Sequence, residues 1–190
     1  YKWFKLKRFS PPSPAFVKRN VLYRHGIKDS TWVETGTFKG DTTKMLAKFF
    51  RIVHTIEPSN RLIERAKKVL SNFKNIYFHN ATSESCFEGV CQSINGDVSF
   101  WLDGHYSSGE TFQASLSTPI KHELDVIKRN KSRFSNIVIL IDDLRCSFRE
   151  NSDYPPLDYY VSWAKSMNYI WYIEHDIFII KSKENDFFKK

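Results

Sequence analysis

Acidic side chains follow four buried runs of this sequence, each at the point where a strand is predicted to end. Glu34, Glu57 and Asp103 each close one apolar run, and Asp142 with Asp143 closes a fourth. Because ligands of an open parallel sheet bind beyond the carboxyl ends of its strands, we expect these carboxylates to border one functional cleft. A single such residue could simply cap a helix, but four in succession favour a binding site.

The stretch from Thr31 to Asp41 predicts a strand, a tight turn bracketed by Gly36 and Gly40, and the start of a helix. Glycines let the backbone approach a ligand, and the unpaired N–H groups of a first helical turn attract electron-rich groups. Two roles stay open for Glu34 at the end of the strand. It could hold the backbone amides of the turn, or it could bind an amine of the ligand.

The remaining acidic residues suit a sugar and a metal ion. Glu57 lies about twenty residues beyond the glycine turn, where a carboxylate can accept both hydroxyls of a ribose, although it could instead cap the following helix. Asp103, Asp142 and Asp143 belong to adjacent strand ends, so we expect them to converge on a cation such as Mg²⁺. In the alternative interpretation, Asp142 caps a loop and Asp143 pairs with Arg145.

Two positions carry histidines of interest. His105 follows Asp103 closely, and a reference pKa near neutrality suits it to act as a general base or as a further metal ligand. Ordinary hydrogen bonding is the alternative role for a loop histidine. His122 and Glu123 lie on a later predicted helix and are interpreted as a surface pair.

Predicted strands and helices alternate five times before two strands follow each other. This order predicts one α/β domain with a mostly parallel sheet and one antiparallel strand at its end. Residues 1–14 are predicted to form a basic arm, residues 15–183 the domain and residues 184–190 a tail. Later strands are predicted at 51–57, 75–79, 97–103, 136–141, 169–174 and 176–181, and helices at 15–25, 84–94, 118–130 and 157–167.

The composition limits the classes of protein to which the chain can belong. A hydrophobic content of 41% excludes a disordered chain, and the longest apolar runs are too short to span a bilayer. Three cysteines without a C-x-x-C pair indicate free thiols in a reducing cytoplasm, and no secretion signal is visible. The formal charge of +8 permits an anionic partner, and the spread of basic stretches favours a generally basic surface over a dedicated groove.

With these features in place, residues 15–180 resemble a class I S-adenosylmethionine-dependent methyltransferase. The first motif of that family, E-x-G-x-G-x-G, is matched by the residues from Glu34 to Gly40, with Phe38 at the middle glycine. This departure resembles the catechol and macrocin O-methyltransferase branches. The strings that surround Asp103 and Asp142 resemble a bacterial methyltransferase-like group without a well-established substrate.

The resemblance implies a Rossmann-like, doubly wound sheet of seven strands in the order 3-2-1-4-5-7-6, with strand 7 antiparallel and helices on both faces. It implies that Glu57 holds the ribose of S-adenosylmethionine, that Thr82 or Ser83 lies near the adenine, and that Mg²⁺ binds Asp103, Asp142 and Asp143. The implied cofactor contacts are Glu34, Thr35, Gly36, Thr37, Phe38, Gly40, Glu57, Thr82, Ser83 and Asp103. Asp103 and His105 are the implied catalytic residues.

The function expected from this resemblance is O-methylation of a small-molecule acceptor, anionic or sugar-containing. A nucleic-acid methyltransferase is one alternative, although the N/D-P-P-aromatic string typical of base amino-group methylation does not follow the fourth strand. The other alternative is a non-catalytic cofactor-binding or scaffold domain, since a chain of this length has little room for an acceptor-recognition insert. A partner subunit or a neighbouring domain could supply one, and a homo-oligomer is a further expectation.

Overall fold

The computed structural model describes residues 2–103, 118–150 and 152–182. Its seven strands form one sheet in the order β3-β2-β1-β4-β5-β7-β6, and β7 runs antiparallel to both of its neighbours. The predicted sheet order and the antiparallel strand are therefore confirmed. The strands are β1 Thr31–Thr35, β2 Ile52–Ile56, β3 Ile76–His79, β4 Gly96–Leu102, β5 Phe134–Ile141, β6 Ile170–Glu174 and β7 Ile177–Lys181.

The helices lie close to their predicted positions. They are α1 Lys2–Lys5, α2 Ala15–His25, α3 Asp41–Phe49, α4 Asn60–Val69, α5 Ser83–Ser93, α6 Ile120–Arg129 and α7 Leu157–Ser166, with short 3₁₀ helices at Lys131–Arg133 and Leu144–Phe148. The predicted basic arm thus contains one short helix. Among the described residues, no helix is long and apolar enough to cross a membrane.

The sheet separates two apolar layers. One layer contains Trp32 and Trp101 and packs against α2 and α3, and the other contains Phe100 and packs against α5, α6 and α7. Every residue of β1 and β7 is buried, as expected for strands that are covered on both faces. This double covering leaves the ends of the strands as the place where polar side chains can gather.

A polar cluster fastens α2 to the last two strands. The Nε2 atom of His25 lies 2.6 Å from Glu174, while its Nδ1 atom lies 2.8 Å from the Tyr172 hydroxyl and 2.9 Å from Lys181 Nζ. Burial lowers the pKa of His25, and it lowers the pKa of Lys181 to about 7. A neutral imidazole suits this arrangement, because one ring nitrogen can accept while the other donates to the carboxylate.

The end of α2 also approaches β1 closely at Gly26. A Cβ atom at this position would lie 2.3 Å from Trp32 Cζ2 and 2.9 Å from Phe50 Cζ. Gly89, within α5, has open space where its Cβ would lie. The packing therefore leaves no space for a side chain at Gly26, whereas it leaves space for one at Gly89.

We predict that Gly26→Ala destabilises the fold by about 1–3 kcal/mol, because the methyl group must displace two aromatic rings of a packed layer. Gly89→Ala is the matched control and should stabilise by about 0.5–1 kcal/mol, because alanine has less backbone freedom to lose in a helix. Urea unfolding of the two variants measures both effects. Equal stabilities would contradict the packing described here.

Candidate functional site

A cleft of about 290 Å³ opens at the carboxyl ends of β1 and β4, beside the N-terminal half of α2. The strand order reverses between β1 and β4, and such a reversal is the usual binding position in open α/β sheets. The residues that line the cleft are Ser13, Ala15, Lys18, Arg19, Leu22, Gly36, Thr37, Phe38, Lys39, Asp41, Thr42, Trp101, Asp103 and Asp142. Asp103 and Asp142 thus border the cleft as expected.

The glycine turn between β1 and α3 takes a left-handed backbone at three positions, Gly36, Phe38 and Gly40. The N–H groups of Gly36 and Thr37 both donate to the carbonyl of Ile56, at 3.0 and 3.3 Å, so the turn is tied to the end of β2. Phe38 replaces the middle glycine of the motif, and its side chain is 43% exposed. Phe38 is therefore accessible at the surface, and it is also one of the residues that line the cleft.

Glu34 lies wholly buried beneath this turn. Its Oε2 atom accepts the hydroxyls of Thr43 at 2.5 Å and Thr55 at 2.7 Å, and Thr37 Oγ1 lies 2.6 Å from the Thr55 hydroxyl. Sequence reasoning had assigned Glu34 to turn amides or to a ligand amine, whereas the structure shows it binding threonine hydroxyls. Burial raises the pKa of Glu34 to about 8, against the opposing effect of the two hydroxyls.

Glu57, at the end of β2, holds the turn from the side. One carboxylate oxygen accepts the N–H of Phe38 at 2.9 Å, and the other accepts the N–H of Ser59 at 3.0 Å. Ser59 is the N-cap residue of α4, so Glu57 contacts the start of that helix as the capping alternative expects, and its role toward a ribose stays a prediction. Each carboxylate oxygen keeps a second lone pair, which leaves capacity for a further donor such as a sugar hydroxyl.

Two of the implied cofactor residues make structural contacts, Thr35 between two strand ends and Ser83 between two helices. The hydroxyl and the carbonyl of Thr35 accept the N–H of Asp103, at 3.2 and 3.3 Å. Ser83 opens α5 and donates to Glu123 at 2.5 Å, while Thr82 precedes that helix. Neither Thr82 nor Ser83 lines the cleft, so a contact with adenine stays a prediction.

The interpretation of His122 and Glu123 as a surface pair is wrong, because Glu123 is fully buried. Burial raises the pKa of Glu123 to about 7, and the hydrogen bond from Ser83 opposes that change. A signal was present in the sequence: Glu123 lies three residues after Ile120 and four before Ile127, on the apolar side of α6.

The three aspartates converge as predicted. Asp103, Asp142 and Asp143 each place a carboxylate oxygen within 4.8 Å of the others. Lys18 of α2 reaches them, and its Nζ atom lies 2.5 Å from Asp142 and 3.0 Å from Asp143. Arg145 pairs with Asp143 at 2.5 Å, as the alternative interpretation had it.

Lys18 and Asp142 each shift the pKa of the other. Burial would lower the pKa of Lys18, but the charges of Asp142 and Asp143 outweigh it and raise that pKa above its ordinary value. Burial and the neighbouring Asp103 raise the pKa of Asp142, and Lys18 opposes that change. Lys18 therefore offsets part of the burial and charge repulsion that hold the pKa of Asp142 well above its ordinary value.

The aspartate cluster does not fit a magnesium ion well. In favour of an ion, Asp142 Oδ1 has no hydrogen-bond partner within the described part of the chain. Against it, the ammonium of Lys18 already lies between Asp142 and Asp143, where it would repel a divalent ion and competes for the same oxygen atoms. The magnesium assignment stays a prediction that this contact argues against.

Two further points concern the predicted site. His105, the predicted general base, belongs to residues 104–117 and lies outside the described residues. Sequence reasoning missed Lys18 and Arg19, because a helix that precedes the first strand offers no motif. The only available signal was their adjacency in a helix that has no acidic residue.

No protein-family model matches the chain, and a search of curated proteins finds no match. Among solved structures, an rRNA methylase from Streptococcus thermophilus is 13% identical, with a TM-score of 0.52 over 90% of this chain and 97% of the other. The 23S rRNA methyltransferase ErmE is 14% identical, with a TM-score of 0.55 over 89% and 67%. Fibrillarin from Aeropyrum pernix with natively bound S-adenosyl-L-methionine is 11% identical, with a TM-score of 0.54 over 88% and 74%.

At these identities, the likeness shows the fold. The chain has the Rossmann-like fold of class I S-adenosylmethionine-dependent methyltransferases, as the sequence predicted. The finer resemblance to the catechol and macrocin branches stays a prediction.

We predict that the free energy of unfolding of the wild-type protein falls, relative to Glu34→Gln, as pH rises from about 5 to about 8. The folded protein keeps Glu34 protonated up to about pH 8, whereas the unfolded chain releases that proton near its reference pKa of 4.5. The relative loss should reach at least about 1.4 kcal/mol, the equivalent of one pKa unit. Denaturant titrations over this pH range measure this loss, and Glu64→Gln, at an exposed position of α4, is the control. A flat difference would contradict the raised pKa.

We also predict that Lys18→Met loses about 3 kcal/mol of stability, as expected when one partner of a buried ion pair is removed. Millimolar Mg²⁺ should raise the melting temperature of this variant, because its aspartates lack their cation, and should leave the wild type unchanged. The exposed Lys28→Met serves as the matched control in thermal unfolding. Equal stabilisation of wild type and variant by Mg²⁺ would restore the metal assignment.

Proposed function

We infer that this chain is an S-adenosylmethionine-dependent methyltransferase that acts on a hydroxyl of an anionic or sugar-containing acceptor. The observation that carries this proposal is the left-handed glycine turn, held by Glu57 at the β1–β4 reversal. Backbone amides and the start of α3 face the cleft at this point, through Asp41 and Thr42. The fold shared with known methyltransferases supports the same conclusion.

The residues present fit the cofactor. Glu57 has acceptor capacity left for ribose hydroxyls, and Gly36 and Thr37 of the turn line the cleft, where the methionine part would lie. The carboxyl groups of Asp103 and Asp142 line the floor of the cleft, and acidic groups suit a sulfonium cation. When bound, S-adenosylmethionine supplies an electrophilic methyl group.

The chain's own contribution is mainly to position the reactants. A cleft that holds an acceptor oxygen in line with the methyl group supplies much of the acceleration by orientation alone. Asp103 is partly exposed at the end of β4 and can accept the proton of the acceptor, a role proposed also for His105. Lys18 provides Asp142 with an ion-pair partner in the cleft.

A nucleic-acid acceptor is the second candidate, and the basic residues at the cleft favour it. Arg19 and Lys39 line the cleft, and Lys18 lines it as well, although its charge is paired with Asp142 and Asp143. Such an acceptor is itself anionic and sugar-containing, so it falls within the proposed chemistry. The cytoplasmic location, the homo-oligomer and the non-catalytic alternative stay predictions.

We expect isothermal titration calorimetry to detect S-adenosylhomocysteine binding in the micromolar range, about −8 kcal/mol. Glu57→Gln should weaken it about tenfold, or about 1.4 kcal/mol, because the amide is a poorer acceptor for two hydroxyls and disturbs the contact with Phe38. Glu64→Gln, which changes an exposed residue of α4, should bind as the wild type does. If the wild type gives no heat of binding, the proposed function is wrong although the fold stands.

A further inference from the structure

The positive charge of this protein is concentrated in its first 28 residues. That segment contains eight Lys or Arg and no Asp or Glu, which equals the formal net charge of +8 of the whole chain. Residues 29–190 are therefore balanced, with 21 basic and 21 acidic residues. The interpretation of a generally basic surface is corrected by this distribution, because the basic stretches beyond residue 28 are matched by acidic ones.

The same segment lies against the cleft. Ser13, Ala15, Lys18, Arg19 and Leu22 all line it. The arm that precedes them folds back on itself, since the Trp3 indole donates to the carbonyl of Ser10 at 2.7 Å. The ring of Trp3 lies 5.9 Å from that of His175, in the β6–β7 connection, at the end of the sheet that carries Asp142.

Exposed aromatic rings accompany these charges. Phe16 and Tyr23 lie seven residues apart on α2, on the same side as Arg19, and both are more than half exposed. Tyr23 meets Phe49 of α3 edge-on, with a distance of 4.8 Å between ring centroids. Lys39 lies 5.1 Å above the ring of Phe38. We name the following residues the rim surface: Phe16, Arg19, Tyr23, Phe38, Lys39 and Phe49.

We propose that the rim surface and the basic arm bind single-stranded nucleic acid and deliver it to the cleft. Exposed rings with adjacent cations are the combination that single strands require, because bases stack on the rings and phosphates pair with Lys and Arg. Phe16 and Tyr23 lie about 10 Å apart along the axis of α2, so one ligand that touches both must be longer than a single base. This proposal rests on the proposed methyltransferase function, for which it names the class of acceptor.

The arrangement favours a nucleic acid over an anionic membrane. A helix that lies in a membrane surface keeps its apolar residues on one continuous face and its charges on the other. On α2, Arg19 instead lies between Phe16 and Tyr23, and outside α2 the exposed ring of Phe38 has Lys39 against it. Charges and rings therefore alternate over one surface, which suits a ligand that presents phosphates and bases in alternation.

The test is fluorescence anisotropy with labelled single-stranded RNA and DNA of roughly 16 nucleotides, the upper range for one such binding site. The wild type should bind, and its affinity should fall linearly with salt on a double-logarithmic scale. The double variant Phe16→Ala/Tyr23→Ala should bind at least tenfold more weakly with the same salt slope. Arg19→Ala/Lys39→Ala should reduce that slope. Tyr77→Ala, equally exposed on edge strand β3, is the matched control and should have no effect.

Three results would overturn the proposal: no binding of either oligonucleotide at low salt, an equal loss in Tyr77→Ala and Tyr23→Ala, or binding only to vesicles that contain phosphatidylserine. Calorimetry with S-adenosylhomocysteine on the same variants separates this proposal from the proposed function, because Phe16 and Tyr23 do not line the cleft. Cofactor binding without oligonucleotide binding refutes the rim surface alone. Oligonucleotide binding without cofactor binding refutes the methyltransferase function.

Discussion

The bend of the chain between β1 and α3 depends on two carboxylates, one beneath it and one beside it. Glu34 accepts the hydroxyls of Thr43 and Thr55, and these contacts join the first turn of α3 and the end of β2 to the end of β1. Glu57 accepts the N–H of Phe38 within the turn itself. A left-handed backbone at a non-glycine residue is strained, so the surrounding contacts must hold it in place.

The end of the sheet poses an electrostatic problem that a distant helix solves. Three aspartates converge there, and such a group would repel itself and take up protons if it were unpaired. Lys18 comes from α2, more than one hundred residues earlier in the chain, and pairs with two of them. The position of α2 depends in turn on His25 and Glu174 at its other end. The charge of the cleft floor is therefore coupled to the docking of a helix that precedes the first strand.

The sequence was sufficient to predict the sheet but not the contacts of its charged residues. The strands could be predicted from apolar runs such as that of β5, because the spacing of apolar residues is a local property of the sequence. The two successive strands at the end predicted the antiparallel pair. The helix after the glycine turn begins at Asp41, because Gly40 is left-handed and ends the turn. The pairing of Lys18 with Asp142 could not be predicted, since it depends on how a helix packs across the sheet. Glu123 could have been placed correctly from its position on the apolar side of α6, and its charge alone led to the wrong surface assignment.

The cleft presents two electrostatic environments within a short distance. Its floor carries Asp103 and Asp142, and its rim carries Arg19 and Lys39. In the proposed function, a cationic cofactor would meet the acidic groups and an anionic acceptor would meet the basic ones. Lys39 is exposed and Arg19 is half-buried, so salt largely screens their interactions beyond about 8–10 Å, whereas the buried Asp142 is screened much less. In the proposed function, the rim would therefore govern the encounter with the acceptor, and the floor would govern the binding of the cofactor.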